Sequence, residues 1–329
     1  MSTRSRQLHL IRRPHGLPEP RDFDIVEAAL ADPEAGEVLV ENLWASVDPY
    51  HREVFESVEL GTALEGRALG RVLASRNPEI EVDDLVMHRD GLRTHTVTSQ
   101  ARVIRPPAGV PLEAYLGILG GTGLSAWVGL TTIGGLEAGE SVLITAAGGG
   151  VGTAAGHIAK ALGAAPVIGV TGSRAKADRL LAGPFDEVIV YRDTALADRL
   201  AGRDIRLALD GVGGEQLEAV IGGMADGGRI AWVGGISGYN TPTPPSAPRN
   251  LLDLVHREIA LHGFLVRNHM DERDRYEAFM APLVADGTVP VDQTVVDGLD
   301  AAPSALIGVL TGSNFGKHLV RLAGPDLPH

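Results

Sequence analysis

Two stretches hold the residue types and spacings from which chemistry can be read. The first is Gly148-Gly149-Gly150-Val151-Gly152. Glycines placed between a strand and a helix permit a tight turn and let the backbone approach a pyrophosphate. They also aim free N–H groups and the helix dipole at its negative charge. The second is Thr171-Gly172-Ser173-Arg174-Ala175-Lys176. An NAD site places an acid about twenty residues beyond the glycines, on the ribose 2′-hydroxyl; here no acid occurs before Asp178. A carboxylate would repel a 2′-phosphate, whereas the Ser173 hydroxyl and the cations Arg174 and Lys176 would bind one. Cations at a helix N-terminus oppose its dipole and so call for such a partner. The expected cofactor is NADP(H).

The elements that must position these residues follow from apolar runs. Val142-Leu143-Ile144, a helix over 153–162 and Val167-Ile168-Gly169-Val170 make a βαβ unit around the glycines. Further strands are expected over 187–190, 206–210, 228–233 and 259–266, giving a six-stranded doubly wound parallel sheet. Tyr191, at the end of the third strand, could stack on or hydrogen-bond an adenosine ribose phosphate. Ligands lie beyond the carboxyl ends of such strands, so the exits 211–214 and 234–240 should line the nicotinamide half of the crevice. The proline-rich run 241–248 reads equally as a lid or a rigid connector.

Residues 1–117 read differently, as many short strands separated by turn residues, which suggests a small β-barrel-like domain. The predicted division is therefore 1–117, completed by a returning strand–helix–strand segment over 287–329, and a nucleotide-binding domain over 118–286. In the first domain, Val47-Asp48-Pro49-Tyr50-His51-Arg52 stands out. Asp-Pro fixes the chain direction, so Tyr50 could offer a phenol to a cleft and Arg52 could bind an anion; a packed Tyr and a solvated Arg fit equally well.

The 329 residues carry a formal net charge of −13, which disfavours nucleic acid and anionic membranes as partners. Cysteine is absent, which excludes disulfides and thiolate chemistry and suits a cytoplasmic protein. The histidines show no metal-ligand spacing, so no metal site is expected. No apolar run of about twenty residues occurs.

The order of motifs resembles the zinc-independent medium-chain dehydrogenases/reductases. It is most similar to the prostaglandin reductase / leukotriene hydroxydehydrogenase group, through SVDPYHR, ITAAGGGVG, TGSRAK, Tyr191, LDGVGGE, VGGISGYN and NFGKHLV. The resemblance implies a GroES-like β-barrel domain beside a Rossmann sheet, usually in a homodimer. It also implies NADPH-dependent reduction of the C=C bond of α,β-unsaturated ketones and aldehydes. It places Gly149, Gly150, Val151 and Gly152 on the pyrophosphate, and Lys176 and Tyr191 on the 2′-phosphate. Val233, Gly234, Gly235, Ile236, Ser237 and Tyr239, then Phe264, Leu265, Val266 and Asn314, fall around the nicotinamide. Two departures stand out: Gly211 where relatives often carry Asn, and His256 where they often carry Tyr. Tyr50, Tyr239 and His256 are the candidate proton or hydrogen-bond donors to the enolate oxygen. The alternatives are a quinone reductase on the same cofactor, or a non-catalytic NADPH-binding protein.

Overall fold

The computed structural model describes residues 3–241, 243 and 246–323; Pro242, Pro244 and Pro245 of the proline-rich run, and His329, lie outside them. The chain forms two compact units. One comprises Gly117–Asp292 with Asn314–Lys317, and the other takes the remaining segments.

In the first unit six strands form one sheet: β1 (Val142–Ile144), β2 (Val167–Thr171), β3 (Glu187–Val190), β4 (Ile205–Asp210), β5 (Met224–Trp232) and β6 (Ala260–Gly263). Their spatial order is β3-β2-β1-β4-β5-β6, with every pairing parallel. The order reverses between β1 and β4, which opens a crevice at their carboxyl ends. Val142, Leu143 and Ile144 are fully buried, as continuous apolar strands covered on both faces must be. β6 is shorter than the apolar run 259–266, because after Gly263 the chain turns into a 3-10 segment at Val266–Asn268.

Helix α1 (Gly150–Ala161) buries Gly152, Ala154, Ala155 and Ile158. Its small residues allow close packing: a β-carbon on Gly156 would stand 2.5 Å from the Phe185 ring. Residues 112–135 hold a 3-10 turn at Leu112–Leu116, an α-helix at Gly121–Val128 and a π-helical turn at Gly129–Ile133. The buried Tyr276 hydroxyl donates to the Ile118 carbonyl beside it. No helix among the described residues is long and apolar enough to cross a membrane.

The second unit is antiparallel. Val38–Val47 is its central strand, pairing with Ala68–Ser75, with His95–Thr98 and with the returning C-terminal strand. Arg4–Leu10 pairs with Phe23–Ala29. The latter strand is not evident from the sequence, since Glu27-Ala28-Ala29 favours helix and only the pairing extends it. Leu8, Leu10, Phe23, Phe55, Leu64 and Leu306 are among the residues of its core.

His88 is buried in this unit, with Nε2 2.8 Å from Asn42 Oδ1 and Nδ1 accepting the Asp90 N–H. Burial lowers its pKa from 6.5 to about 4, against the pull of Asp90. The neutral ring is therefore the folded form. Its contribution is complete above pH 6.5 and is lost as pH falls toward 4, worth up to about 3 kcal/mol. Urea midpoints measured across that window should fall in the wild type and fall less in His88→Asn; equal slopes would refute this assignment.

Candidate functional site

The glycine turn lies where β1 feeds α1. Gly149 is the N-cap, extended at φ −90° and ψ 175°, so the first amides of α1 around Gly150, Val151 and Gly152 have no intrahelical acceptor. Gly152 is where helix and strand exit meet most closely: a β-carbon there would stand 2.4 Å from the Ala146 carbonyl oxygen and 2.6 Å from Ala147 Cα. The far side of the turn is held by the chain's C-terminal return. The Gly316 N–H donates to the Gly148 carbonyl at 3.0 Å, and Lys317 N–H to Asp292 O at 2.9 Å. Gly316 has φ +65°, and a β-carbon would strike the Asp292 carbonyl. These bonds explain why 314–317, and 287–292 with it, group with the parallel sheet, whereas the sequence suggested that all of 287–329 completes the other domain. Asn314 is buried and donates to Gly316 O at 2.7 Å.

At the end of β2 the chain enters helix α2 (Arg174–Leu181). Ser173 caps it, its hydroxyl accepting the Lys176 N–H at 3.4 Å. The Lys176 stem lies against Gly148, its Cδ 2.8 Å from where a β-carbon would be. Lys176 is half-buried, and among the described residues no carboxylate pairs with it. Burial alone lowers its pKa. A charged amine held so without a counter-ion is a site prepared for an anion. Tyr191 closes the other side, its hydroxyl and ring packed over Gly172. Arg174 is exposed and pairs with Asp193, Nε to Oδ2 at 3.0 Å.

The exits of β4 and β5 are laced together. Val233 N–H donates to Asp210 O at 2.8 Å, and the Ser237 hydroxyl to Val212 O at 2.6 Å; Ile236 N–H reaches Gly211 O. Gly234 accepts from the Trp232 indole, and Gly235 caps the 3-10 turn that ends at Tyr239. Gly211, the departure noted in the sequence, donates its own N–H to Thr145 Oγ1 at 3.0 Å. A fully buried carboxylate organises this corner: Asp210 accepts from Thr145 Oγ1 at 2.7 Å and from the Gly213 N–H at 2.8 Å. Burial pushes its pKa up, and those hydrogen bonds pull it down. Sequence reasoning did not single out Thr145 or Asp210 as a pair, since 65 residues separate them. After β6, Phe264 is buried, Leu265 exposed and Val266 half-buried.

His256 does not join this group. It is exposed at the end of the short helix Leu252–His256, before β6 begins. The neighbouring Arg257 carbonyl accepts from Gly227, ahead of the run Arg229–Trp232 along which β5 pairs with β6, and its side chain reaches Asp226. That is the amino-terminal edge of the sheet, opposite the crevice, so His256 is no longer a proton-donor candidate.

In the antiparallel unit, Tyr50 stacks on His51 with ring centroids 4.6 Å apart. Its hydroxyl oxygen is buried without a hydrogen-bond partner among the described residues. Burial, then the Asp48 charge, raises the phenol pKa above its ordinary value, against Arg67 and Arg89. Arg52 is not available to an anion: it is buried, bound to Glu56 at 2.5 Å and to the Gly16 carbonyl at 3.0 Å.

The chain matches two family models, "N-terminal domain of oxidoreductase" over residues 6–105 and "Zinc-binding dehydrogenase" over 150–286. The second description does not fit a metal here: cysteine is absent, and no group of three His, Asp or Glu among the described residues could hold an ion. Prostaglandin reductase 1 of Bos taurus is 33% identical over 93% of this chain and 95% of its own. A 2-alkenal reductase (NADP(+)-dependent) of Nicotiana tabacum is 33% identical over 94% of each. The crystal structure of CurA in complex with NADPH from Vibrio vulnificus superposes with a TM-score of 0.91 at 29% identity, covering 97% of this chain and 100% of that one. The chain belongs to the medium-chain dehydrogenase/reductase family, in the NADP-dependent group that holds the prostaglandin and alkenal reductases.

Proposed function

We propose that this chain reduces the C=C bond of α,β-unsaturated ketones and aldehydes with NADPH. Oxidoreduction is its class and NADP(H) its cofactor. The observation that carries its cofactor part is the half-buried Lys176 ammonium lying against Gly148 with no carboxylate partner among the described residues. The enone and enal substrates rest on relatives named for alkenals and prostaglandins.

Bound NADPH supplies the hydride. The amides of Gly149, Gly150, Val151 and Gly152, with the α1 dipole, hold the pyrophosphate. Lys176, with Ser173, Arg174 and Tyr191, holds the 2′-phosphate. Val233 to Ser237, Tyr239, Phe264 to Val266 and Asn314 bound the nicotinamide. As charge develops on the substrate carbonyl oxygen, a donor must meet it. Tyr50 suits that role, with its proton retained and no acceptor among the described residues; Tyr239 is the second candidate. Tyr50→Phe should lower kcat about tenfold and leave the NADPH dissociation constant unchanged. An unchanged kcat would pass the role to Tyr239.

The test of the reaction is loss of reduced-nicotinamide absorbance with matched enals, enones and quinones, with NADH as control. Enone turnover that prefers NADPH supports the reading. Turnover of quinones alone makes the chain a quinone reductase, and NADPH binding without turnover makes it a binding protein. We further read it as a cytoplasmic homodimer. The exposed Trp232, Leu252, Val255 and Leu265, in and beside the sheet's edge, support the dimer, and light scattering tests it.

A further inference from the structure

The two cations at the start of α2 are in different states. Lys176 has no carboxylate partner among the described residues, whereas Arg174 is held by Asp193 at 3.0 Å. Asp193 lies two residues beyond Tyr191, and its backbone N–H closes a turn onto Val190 O. The ion pair thus joins the first residue of α2 to the exit of β3, the two elements whose residues flank Gly172. Only Nε of Arg174 is engaged with Asp193. An exposed pair of this kind is weak and exchangeable. A 2′-phosphate brings about two negative charges and three acceptor oxygens, and it competes with one carboxylate for the same guanidinium.

Resting on the cofactor reading above, we propose that Asp193 is a specificity-determining residue: by occupying Arg174 it holds the preference for NADPH over NADH below what Arg174 and Lys176 together would give. Its negative charge, 3.0 Å from Arg174 Nε, also repels a phosphate that arrives at that guanidinium. Both effects act on the phosphorylated cofactor alone. The side chain is exposed and makes no other hydrogen bond among the described residues, so its replacement leaves the fold intact.

The test is equilibrium titration of NADPH and NADH, followed by nicotinamide fluorescence, for wild type, Asp193→Asn, Arg174→Gln and the double variant. Asp193→Asn should bind NADPH about three- to fivefold tighter at low salt, with NADH unchanged. The gain should shrink at high salt, where exposed charges are screened. The double variant should lack the gain, because Arg174 must be present to be released. Unchanged or weaker NADPH binding in Asp193→Asn overturns the proposal, as does an equal gain for NADH or a gain that survives in the double variant. If wild type binds neither nucleotide, the cofactor reading falls and this proposal with it.

Discussion

Lys176→Ala should raise the NADPH dissociation constant by about ten- to a hundredfold and leave that for NADH nearly unchanged. A hydrogen bond to a charged group contributes about 1.5–3 kcal/mol, which sets this range. The side chain sits half-buried against Gly148, and burial has already lowered its pKa. An arriving phosphate restores the charged form, so binding of NADPH should weaken as pH rises toward the lysine's depressed pKa, while binding of NADH should not. Because the substitution leaves no carboxylate among the described residues unpaired, the folded protein should lose little stability. Parallel loss of NADH affinity would mean that Lys176 merely shapes the turn, and the 2′-phosphate assignment would fail.

Gly152→Val should destabilise the protein by about 5 kcal/mol and abolish binding of either nucleotide. The first atom beyond Cα already meets backbone that cannot rotate away, at 2.4 Å from Ala146 O and 2.7 Å from Ala147 O. Helix α1 must then lift off β1, and the amides that face the pyrophosphate move with it. Gly148→Ala is the control. Its β-carbon meets only the flexible Lys176 stem at 2.8 Å, so it should cost far less stability and act mainly on NADPH. Chemical denaturation and nucleotide titration of both variants check the contrast; equal stability would refute the close-packing argument.

These contrasts show which parts of the fold were legible in the sequence. The glycine turn, the apolar strands around it and the acid-free TGSRAK segment declare themselves through residues adjacent in the chain. The six strands followed from the same local patterns. What required the folded chain is pairing over distance. Nothing near Arg52 announces the Gly16 carbonyl, nothing near Arg174 announces Asp193, and Thr145 meets Asp210 only because β1 and β4 are neighbours. His256 was misplaced for a related reason: a helix that precedes a strand delivers its last residues to the strand's beginning, away from the carboxyl-end crevice. Tyr50 lay between these cases. The Asp-Pro step marked the loop, but only the fold buries the hydroxyl with no partner among the described residues.

The hydrogen bond from Gly316 to Gly148 has a consequence for biosynthesis. The ribosome makes the glycine turn first, and the segment that braces it is synthesised more than 160 residues later. The intervening sheet can assemble on the nascent chain as its strands emerge. The turn itself stays unbraced until Asn314–Lys317 has left the exit tunnel. Truncation before Asn314 therefore leaves a nucleotide unit with every parallel strand present and its nucleotide-binding turn unfinished.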